Sequence, residues 1–316
     1  KAAEGKAAEP RQEGDEVFAT PFWWQFRVLF RRAWTNTLRH PVATRAAASR
    51  SLCMGLLLGL VFSRRGDDQA SVQDRTGALF FVLTSQIFSA QGSVRVFAEE
   101  RELFLRERLA GAYRTSAYFW AKTLADIPMQ IALALLFSLT GYGLVGLQWT
   151  AGHLAAFVAV VVAATLAAEA LILAIVAGIR DDRAAAVLGP LAFALMSLFG
   201  GFFVNAASLA WPLSLLQHLS LFRLGFGALM TNEFAGLVFR CGPADRLAFL
   251  DRLDPASREH VREFAHLLPC PIPDGNTHLA RLKLEGCGVW SGVGALLLFT
   301  LVARLTAFAM LRSRAA

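Results

Sequence analysis

Charged residues are scarce in this chain. Only 17% of its 316 residues are Asp, Glu, Lys or Arg, whereas hydrophobic residues make up 55% and the mean hydropathy is +0.47. A soluble domain usually has about 25% charged residues and about 45–50% apolar ones. The composition therefore argues against a water-soluble globular protein and favours a chain that is embedded in a membrane.

Lysine is scarcer still, because only four lysines occur and the formal charge of +7 comes from arginine. Arginines such as Arg27, Arg39 and Arg45 stand just ahead of an apolar run, which is typical of the cytoplasmic flank of a membrane protein. No recognition module and no alternation of basic and aromatic residues accompanies this charge. We therefore expect no nucleic acid as a partner.

The nucleotide-binding motif GxxxxGK(S/T) is missing. Its backbone amides and its lysine hold nucleotide phosphates, and here Gly5 and Lys6 are followed by Ala7. We therefore expect no catalytic site in this chain. Neither the cysteines nor His260 and His266 have the close spacing of metal ligands, so we expect no metal site.

Cysteine is also sparse, with four residues. Cys53 falls within an apolar run, where we expect a small buried side chain. Cys241, Cys270 and Cys287 fall in a segment that the topology below places in an oxidising compartment. We predict a disulfide between Cys241 and Cys270, because closing about thirty residues would hold a small subdomain. Three alternatives stay open for Cys287: a free thiol, a disulfide with another of these cysteines, or a disulfide between subunits.

Six apolar runs are long enough to cross about 30 Å of hydrocarbon. They are residues 42–62, 77–97, 127–147, 154–179, 184–204 and 289–310. The segment after the second run is rich in arginine, whereas charges cancel in the first outer loop, which holds Arg64, Arg65, Asp67, Asp68, Asp74 and Arg75. The positive-inside rule then places both termini in the cytoplasm. We predict an all-α polytopic protein of the plasma membrane or an organelle membrane, surrounded by lipid.

The chain divides into three parts. Residues 1–17 are polar and predict a disordered linker from something upstream. Residues 18–40 place aromatic residues at three- and four-residue spacings between arginines, which predicts an amphipathic helix. Residues 42–316 form the membrane domain. Its outer segment, 205–288, contains an apolar part at 211–230, which we expect to be interfacial or re-entrant, and a charged helix at 256–268.

Glu169 is the one acid deep in a predicted span. A charge at the bilayer centre costs about 2.5–3.5 kcal/mol on insertion scales, so this side chain must face protein or water. Two interpretations stay open: a hydrogen-bonded glutamate at a helix interface, or a polar group of a substrate cavity. Arg304 lies close enough to the end of the last span for its guanidinium to reach the interface, so we assign it no function.

Residues 97–128, which we name the elbow, are too charged to enter lipid and too aromatic for a passive loop. Residues 99–109 can form a short helix with Glu and Arg on one face, and Gly111 ends it. The pattern alone fits a helix on the membrane surface or a docking site for a soluble partner.

The elbow sequence ERELFLRERLAGAYRTSAYFWAKTLADIP resembles the first cytoplasmic loop of G-subfamily ATP-binding-cassette half-transporters, the white/brown group. A second block, GGFFVNAASLAWPLSLLQHLSLFRLGFGALMTNEFAG at residues 200–236, is similar to the fifth span, the re-entrant segment and the start of the large outer loop of that family. The resemblance covers essentially residues 22–311. It implies a type-2 exporter in which two such domains form a homodimer or heterodimer around a central cavity.

The resemblance also implies roles for particular residues. Residues 18–40 would be the connecting helix, and a coupling helix would carry nucleotide-driven closure through Glu99, Glu100, Arg101, Glu102, Arg106 and Glu107. Ser85 and Phe88 fall where the family has cavity residues in its second span. Phe202 and Phe203 take the place of paired apolar residues that plug the cavity towards the outside. We add Glu169 to the candidate cavity residues.

Energy for transport would come from outside these residues. ATP and Mg²⁺ are expected on a nucleotide-binding domain, either upstream in a longer gene product or in a separate subunit. The resemblance implies an internal disulfide in the outer loop, consistent with Cys241 and Cys270. We predict a permease that gives hydrophobic or amphipathic substrates, such as lipids, sterols, pigments or xenobiotics, alternating access. The alternative is an ATP-independent membrane scaffold or a lipid-scrambling channel.

Overall fold

Helices make up almost all of the structure. The structure, a computed structural model, describes residues 20–39, 41–63, 66, 68–203, 217–240, 270, 272–284 and 286–315. The helices within these ranges are α1 Phe22–Arg39, α2 Pro41–Val61, α3 Gln69–Ser89, α4 Ser93–Leu109, α5 Thr115–Val145, α6 Ala151–Gly178, α7 Asp182–Leu198, α8 Leu221–Phe234, α9 Gly275–Arg281 and α10 Val289–Ala315. One isolated β-bridge joins Val238 to Asp274. The all-α polytopic fold class is confirmed.

Several helices are long and apolar enough to cross a membrane. In the part of the chain that the structure describes, four stretches meet this description: Gln69–Leu109, where α3 and α4 follow each other, Thr115–Val145, Ala151–Gly178 and Val289–Arg314. α2 and α7 stand where the two other spans are predicted. α7 has only 17 residues, and α2 contains two arginines in its first half. The count of six spans stays a prediction.

Two predicted spans differ from the helices that form there. Residues 77–97 do not make one helix, because α3 ends at Ser89 and a 3-10 turn at Ala90–Gly92 separates it from α4. The predicted fifth span reaches residue 204, but α7 ends at Leu198. Two glycines follow, and Gly201 takes a φ of 88°, a left-handed conformation that ends a helix.

The apolar part of the outer segment is more deeply enclosed than an interfacial segment would be. Its described portion forms α8, in which Phe222, Phe226 and Leu229 are fully buried. The residues that follow α8 pair with those before α9: the amide of Gly275 donates to the Leu237 carbonyl over 2.8 Å. The predicted linker 1–17 and the predicted helix 256–268 lie outside the described residues.

α6 is the centre of the bundle. It packs against α3, α5, α8 and most extensively against α10. Its sequence is apolar all round and rich in alanine and valine, and such a helix is stable when protein surrounds it. Small side chains also let neighbouring helices approach closely, which favours association in lipid.

The pair of α2 and α5 is held by glycines. Gly55 and Gly59 lie four residues apart in the sequence GLLLG on α2. A Cβ atom at Gly55 would lie 2.2 Å from the hydroxyl oxygen of Thr140, and one at Gly59 would lie 2.4 Å from Cβ of Leu144. Only residues without a side chain permit this approach, as in other small-residue helix contacts of membrane proteins.

α1 lies along α5 near the end of the bundle that carries the elbow, which we call the elbow end. Phe22, Phe26, Phe30 and Trp34 repeat every four residues and stack in one row, with ring centroids 6.0–6.3 Å apart. Leu29 and Gln25 are buried on the face towards the bundle. The helix is therefore amphipathic, as its spacing predicts.

Candidate functional site

The elbow helix α4 is connected to three other parts of the bundle. Lys122 of α5 donates to Oε1 of Glu100 over 2.7 Å and also lies 3.1 Å from Asp126. Arg32 of α1 makes two hydrogen bonds, of 3.0 and 3.1 Å, to the two carboxylate oxygens of Glu107. Two-point contacts of this kind fix orientation as well as distance. These contacts connect α4 to both α1 and α5.

Arg101 makes the third connection, to the end of α6. Its guanidinium donates to the carbonyls of Val176 (2.6 Å), Ile179 and Arg180 (3.1 Å), and to the carboxylate of Asp182 (2.5 Å). The last carbonyls of a helix have no partner within the helix and carry partial negative charge. A buried cation at this position satisfies them and holds the start of α7 as well.

The other three predicted coupling residues face outwards. The side chains of Glu99, Glu102 and Arg106 are 61–79% exposed. Their ion pairs lie along the surface of the same helix, with Arg95 2.9 Å from Glu99 and Arg106 3.7 Å from Glu102. α4 therefore has an inner set of side chains that contact the bundle and an outer set that is open to a partner.

Tyr113 completes the contact between α4 and α1. Its hydroxyl donates to Oε2 of Glu107 over 2.6 Å. Burial, together with the adjacent Glu107 carboxylate, raises the pKa of Tyr113 well above its ordinary value. The hydrogen bond to Glu107 also raises the pKa of Arg32. Both groups therefore keep their protons at neutral pH, and the contact is insensitive to pH there.

The predicted cavity phenylalanines belong to one aromatic cluster. Phe88 is half-buried and lies 5.7 Å from Phe193 and 6.3 Å from Phe222 between ring centroids. Phe222 in turn lies 6.2 Å from Phe80, on which Phe202 stacks at 4.4 Å. The structure therefore brings Phe88 and Phe202 to the same cluster, although they are far apart in sequence.

Phe203 and Ser85 flank this cluster. The ring of Phe203 is 59% exposed and meets Phe202 edge to face at 5.1 Å. The hydroxyl of Ser85 donates to the Val82 carbonyl of its own helix over 2.9 Å, and its oxygen can still accept a hydrogen bond. The role of these residues in a substrate cavity stays a prediction.

Glu169 lies apart from the phenylalanines, near the elbow. Its Oε1 accepts a hydrogen bond of 2.9 Å from the hydroxyl of Ser93, the first residue of α4. It faces a small cavity whose polar wall includes Glu100, Lys122 and Arg304. The expectation that Arg304 reaches the membrane interface is wrong, because its residue is only 8% exposed and its side chain faces this cavity.

A second polar cluster at the far end of the bundle is not predicted by the sequence patterns. Arg75 and Glu233 form an ion pair in which both side chains are buried. Glu233 also accepts from the amide of Gln148 over 3.0 Å, and Gln148 donates to the Glu233 carbonyl over 2.5 Å. Arg75 was expected in an outer loop but lies within α3. The sequence contains one indication of this cluster, namely that Glu233 is a single glutamate within an apolar run. A buried charge of this kind requires a partner.

The cysteines differ in their states. Cys270 is disulfide-bonded, whereas Cys53 and Cys287 are free thiols. Cys241, which we predict as the partner of Cys270, lies outside the described residues. The prediction that Cys53 is buried is wrong, because it is exposed on α2. Leu52 and Met54 beside it are exposed as well, so this part of α2 presents an apolar surface suited to lipid.

Comparison with known proteins gives a consistent result. A sequence model of the family described as "ABC-2 type transporter" matches residues 24–234. The chain is 36% identical over 228 residues to the "Broad substrate specificity ATP-binding cassette transporter ABCG2" of Mus musculus, covering 71% of this chain and 34% of that protein.

Two further relatives come from a plant and an insect. The chain is 34% identical over 225 residues to "ABC transporter G family member 7" of Arabidopsis thaliana, covering 71% of this chain and 31% of that protein. It is 28% identical over 224 residues to "Protein white" of Ceratitis capitata, covering 71% and 33%. The chain spans about a third of the length of these relatives.

Proposed function

Because the chain belongs to the ABC-2 type transporter family and matches membrane domains of G-subfamily half-transporters, we propose that it is the permease domain of an ATP-driven exporter. Its substrates would be hydrophobic or amphipathic, such as lipids, sterols, pigments or xenobiotics. The aromatic cluster around Phe88 and Phe202 supports this class, because it offers apolar rings and few polar groups.

The observation that carries the proposal is the two-faced helix α4. Its inner side chains Glu100, Arg101 and Glu107 contact α5, the junction of α6 and α7, and α1. Its outer side chains are exposed. A displacement of α4 by a partner on its outer face would therefore be transmitted to three parts of the bundle. The charge-assisted hydrogen bonds connect α4 to each of them.

Two partners follow from this arrangement. An ATPase domain, on the same polypeptide or in a separate subunit, would contact the outer face of α4 and would hold ATP and Mg²⁺. A second membrane domain, identical or related, would complete the substrate cavity. In this proposal the elbow end and both termini face the cytoplasm, in keeping with the arginines of the elbow.

The proposal is tested on the full-length gene product in lipid nanodiscs. The double substitution Glu102→Arg with Arg106→Glu keeps the ion pair within α4 but inverts the charge pattern of its outer face. We expect ATPase activity stimulated by lipophilic compounds to fall at least about tenfold, as for a contact at the centre of an interface. The melting temperature should stay unchanged, because both side chains are more than half exposed.

Arg240→Glu is the matched control. Arg240 is an exposed arginine at the far end, so its reversal should leave stimulated turnover unaltered. If the double variant keeps full stimulation, α4 does not transmit the ATPase signal. If the full-length product has no ATPase activity and no ATPase co-purifies, the exporter proposal fails and the scaffold or lipid-scrambling alternative replaces it.

A further inference from the structure

A small cavity with a largely apolar wall and a few charged side chains lies at the elbow end, between α4, α5, α6 and α10. Its volume is about 50 Å³, enough for one or a few water molecules. A wider cavity of about 570 Å³, between α2, α3 and α5, shares Glu100, Lys122, Asp126, Gln130 and Glu169 with it. Together they form a path that begins at the elbow and has Glu169 at its inner end, with these polar side chains along it.

Several buried polar atoms along this path have no hydrogen-bond partner among the described residues. They are Oε2 of Glu100, Oε1 of Gln130, Oε2 of Glu169 and Nε of Arg304. Buried polar groups in proteins almost always bond to protein or to ordered water. Water molecules can satisfy these three acceptors and one donor, because water can donate and accept hydrogen bonds at once.

Glu169 stands out on this path because its buried carboxylate is only partly hydrogen-bonded. The residue is 9% exposed, and Ser93 satisfies only one of its two carboxylate oxygens. The charged groups that line the two cavities with it are Arg50 from α2, Glu99, Glu100 and Arg101 from α4, Lys122 and Asp126 from α5, and Arg304 from α10. Four cations already oppose four carboxylates when Glu169 is included, so a metal cation would find no excess negative charge.

We propose that Glu169 is a proton-binding site that exchanges with water from the elbow side through this cavity. The ligand is a proton: it leaves a water molecule, forms an O–H bond with Oε2, and returns to water on release. No other covalent bond changes. The site is independent of the proposed ATP-driven function, because it requires only the residues inside one copy of the chain.

Proton binding would act on the position of the elbow. Ser93 is the first residue of α4, and its hydrogen bond to Glu169 is strong because the acceptor is charged. Neutralising the carboxyl weakens that bond and leaves the cavity with one excess positive charge. The contact between α4 and α6 therefore loosens when Glu169 takes up a proton.

Infrared difference spectroscopy of the full chain in nanodiscs tests the site without any need for ATP. Between neutral and acidic pH, we expect a carboxyl C=O band that shifts on transfer to D₂O and disappears in Glu169→Gln. In Ser93→Ala the band should reach half its intensity about one pH unit higher, because the carboxylate loses the hydrogen bond that Ser93 donates to it.

Glu102→Gln, which removes an exposed carboxylate of α4, is the matched control and should leave the band intact. The proposal is overturned if Glu169→Gln retains the full band, or if the band does not respond to D₂O. An unchanged midpoint in Ser93→Ala overturns it equally. Ser93→Ala also answers the question if Glu169→Gln does not fold, since the small cavity that it creates is tolerated more easily than a lost buried charge.

Discussion

At the scale of single residues, several buried charges in the described part of the chain are compensated by a group from a distant part of the sequence. Arg75 meets Glu233, Lys122 lies between Glu100 and Asp126, and Arg101 lies on the carbonyls that end α6. An unpaired charge in such surroundings costs several kcal/mol, so each pair fixes how two helices lie against each other. The partners come from distant parts of the chain, and this is why the sequence alone does not pair them.

His278 of α9 is an uncompensated base at the far end. Its Nε2 lies 2.9 Å from the hydroxyl of Thr76, and its ring lies 5.0 Å from that of Phe234. Burial, with a smaller effect of the cationic Arg281, lowers the pKa of His278 from 6.5 to about 4. Above pH 6.5 the ring is neutral whether or not α9 is docked, and docking is fully stable.

Acid should therefore release α9. As the pH falls from 6.5 towards 4, the undocked form takes up a proton that the docked form does not, so docking is progressively lost. We expect hydrogen-exchange protection of residues 275–281, corrected for the intrinsic rate, to fall roughly tenfold between pH 7 and pH 5. His278→Gln, which cannot titrate, should keep its protection, and an equal loss in both proteins would rule this cause out.

At the scale of helices, glycine determines how closely α2 and α5 lie together. Gly59→Leu would place a side chain where Cβ alone already comes within 2.4 Å of Leu144. We expect the melting temperature in nanodiscs to drop by several degrees, as for an overpacked contact of about 1–3 kcal/mol. Gly294→Leu on α10 is the control, because no atom lies within 4 Å of its Cβ position.

A matching loss of stability in both glycine variants would show that leucine itself, rather than the close contact, is responsible.

The sequence predicts the helices better than it predicts their contacts. The spacing of Gly55 and Gly59 is visible in the sequence, but that pattern does not identify the helix that it contacts. The long apolar runs predict the helices well, since twenty apolar residues have few other stable states in lipid.

The ends of the helices were less predictable. Residues 90–92 fall within the predicted span 77–97, yet a 3-10 turn separates α3 from α4 there. The direction of α4 depends on Arg101 reaching the end of α6, a contact between residues more than seventy positions apart. Prediction of the candidate site is limited in the same way by contacts between distant residues. The resemblance identifies the elbow residues, but only the fold divides them into inner and outer sets.

At the scale of the whole molecule, the phenylalanine cluster and the cavity beside Glu169 lie in different regions. Phe88 contacts α7 and α8, whereas Glu169 faces the elbow. If substrate binds at the cluster, Phe88→Ala should change transport stimulated by that substrate, while the chain still folds. Its loss of stability should be less than the roughly 3–5 kcal/mol of a fully buried phenylalanine, because the ring is half-buried.

Phe308→Ala is the control for this change. Phe308 is another half-buried phenylalanine, 5.4 Å from Phe119 and outside the cluster. It should lose similar stability and keep the substrate profile. Unaltered transport of every tested substrate by Phe88→Ala would remove Phe88 from the cavity.

The close pairing of α6 with α10 has a consequence for how the protein is made. The ribosome completes α6 long before it starts α10, yet α10 covers the most extensive contact surface of α6. Arg314, near the end of α10, donates to the carbonyls of Gly178 and Ile179 at the end of α6. Until α10 has been synthesised and inserted, lipid or an insertion factor has to occupy that surface of α6. Every nascent chain therefore passes through a stage in which this surface of its central helix is not yet covered by α10, and misfolding can begin there.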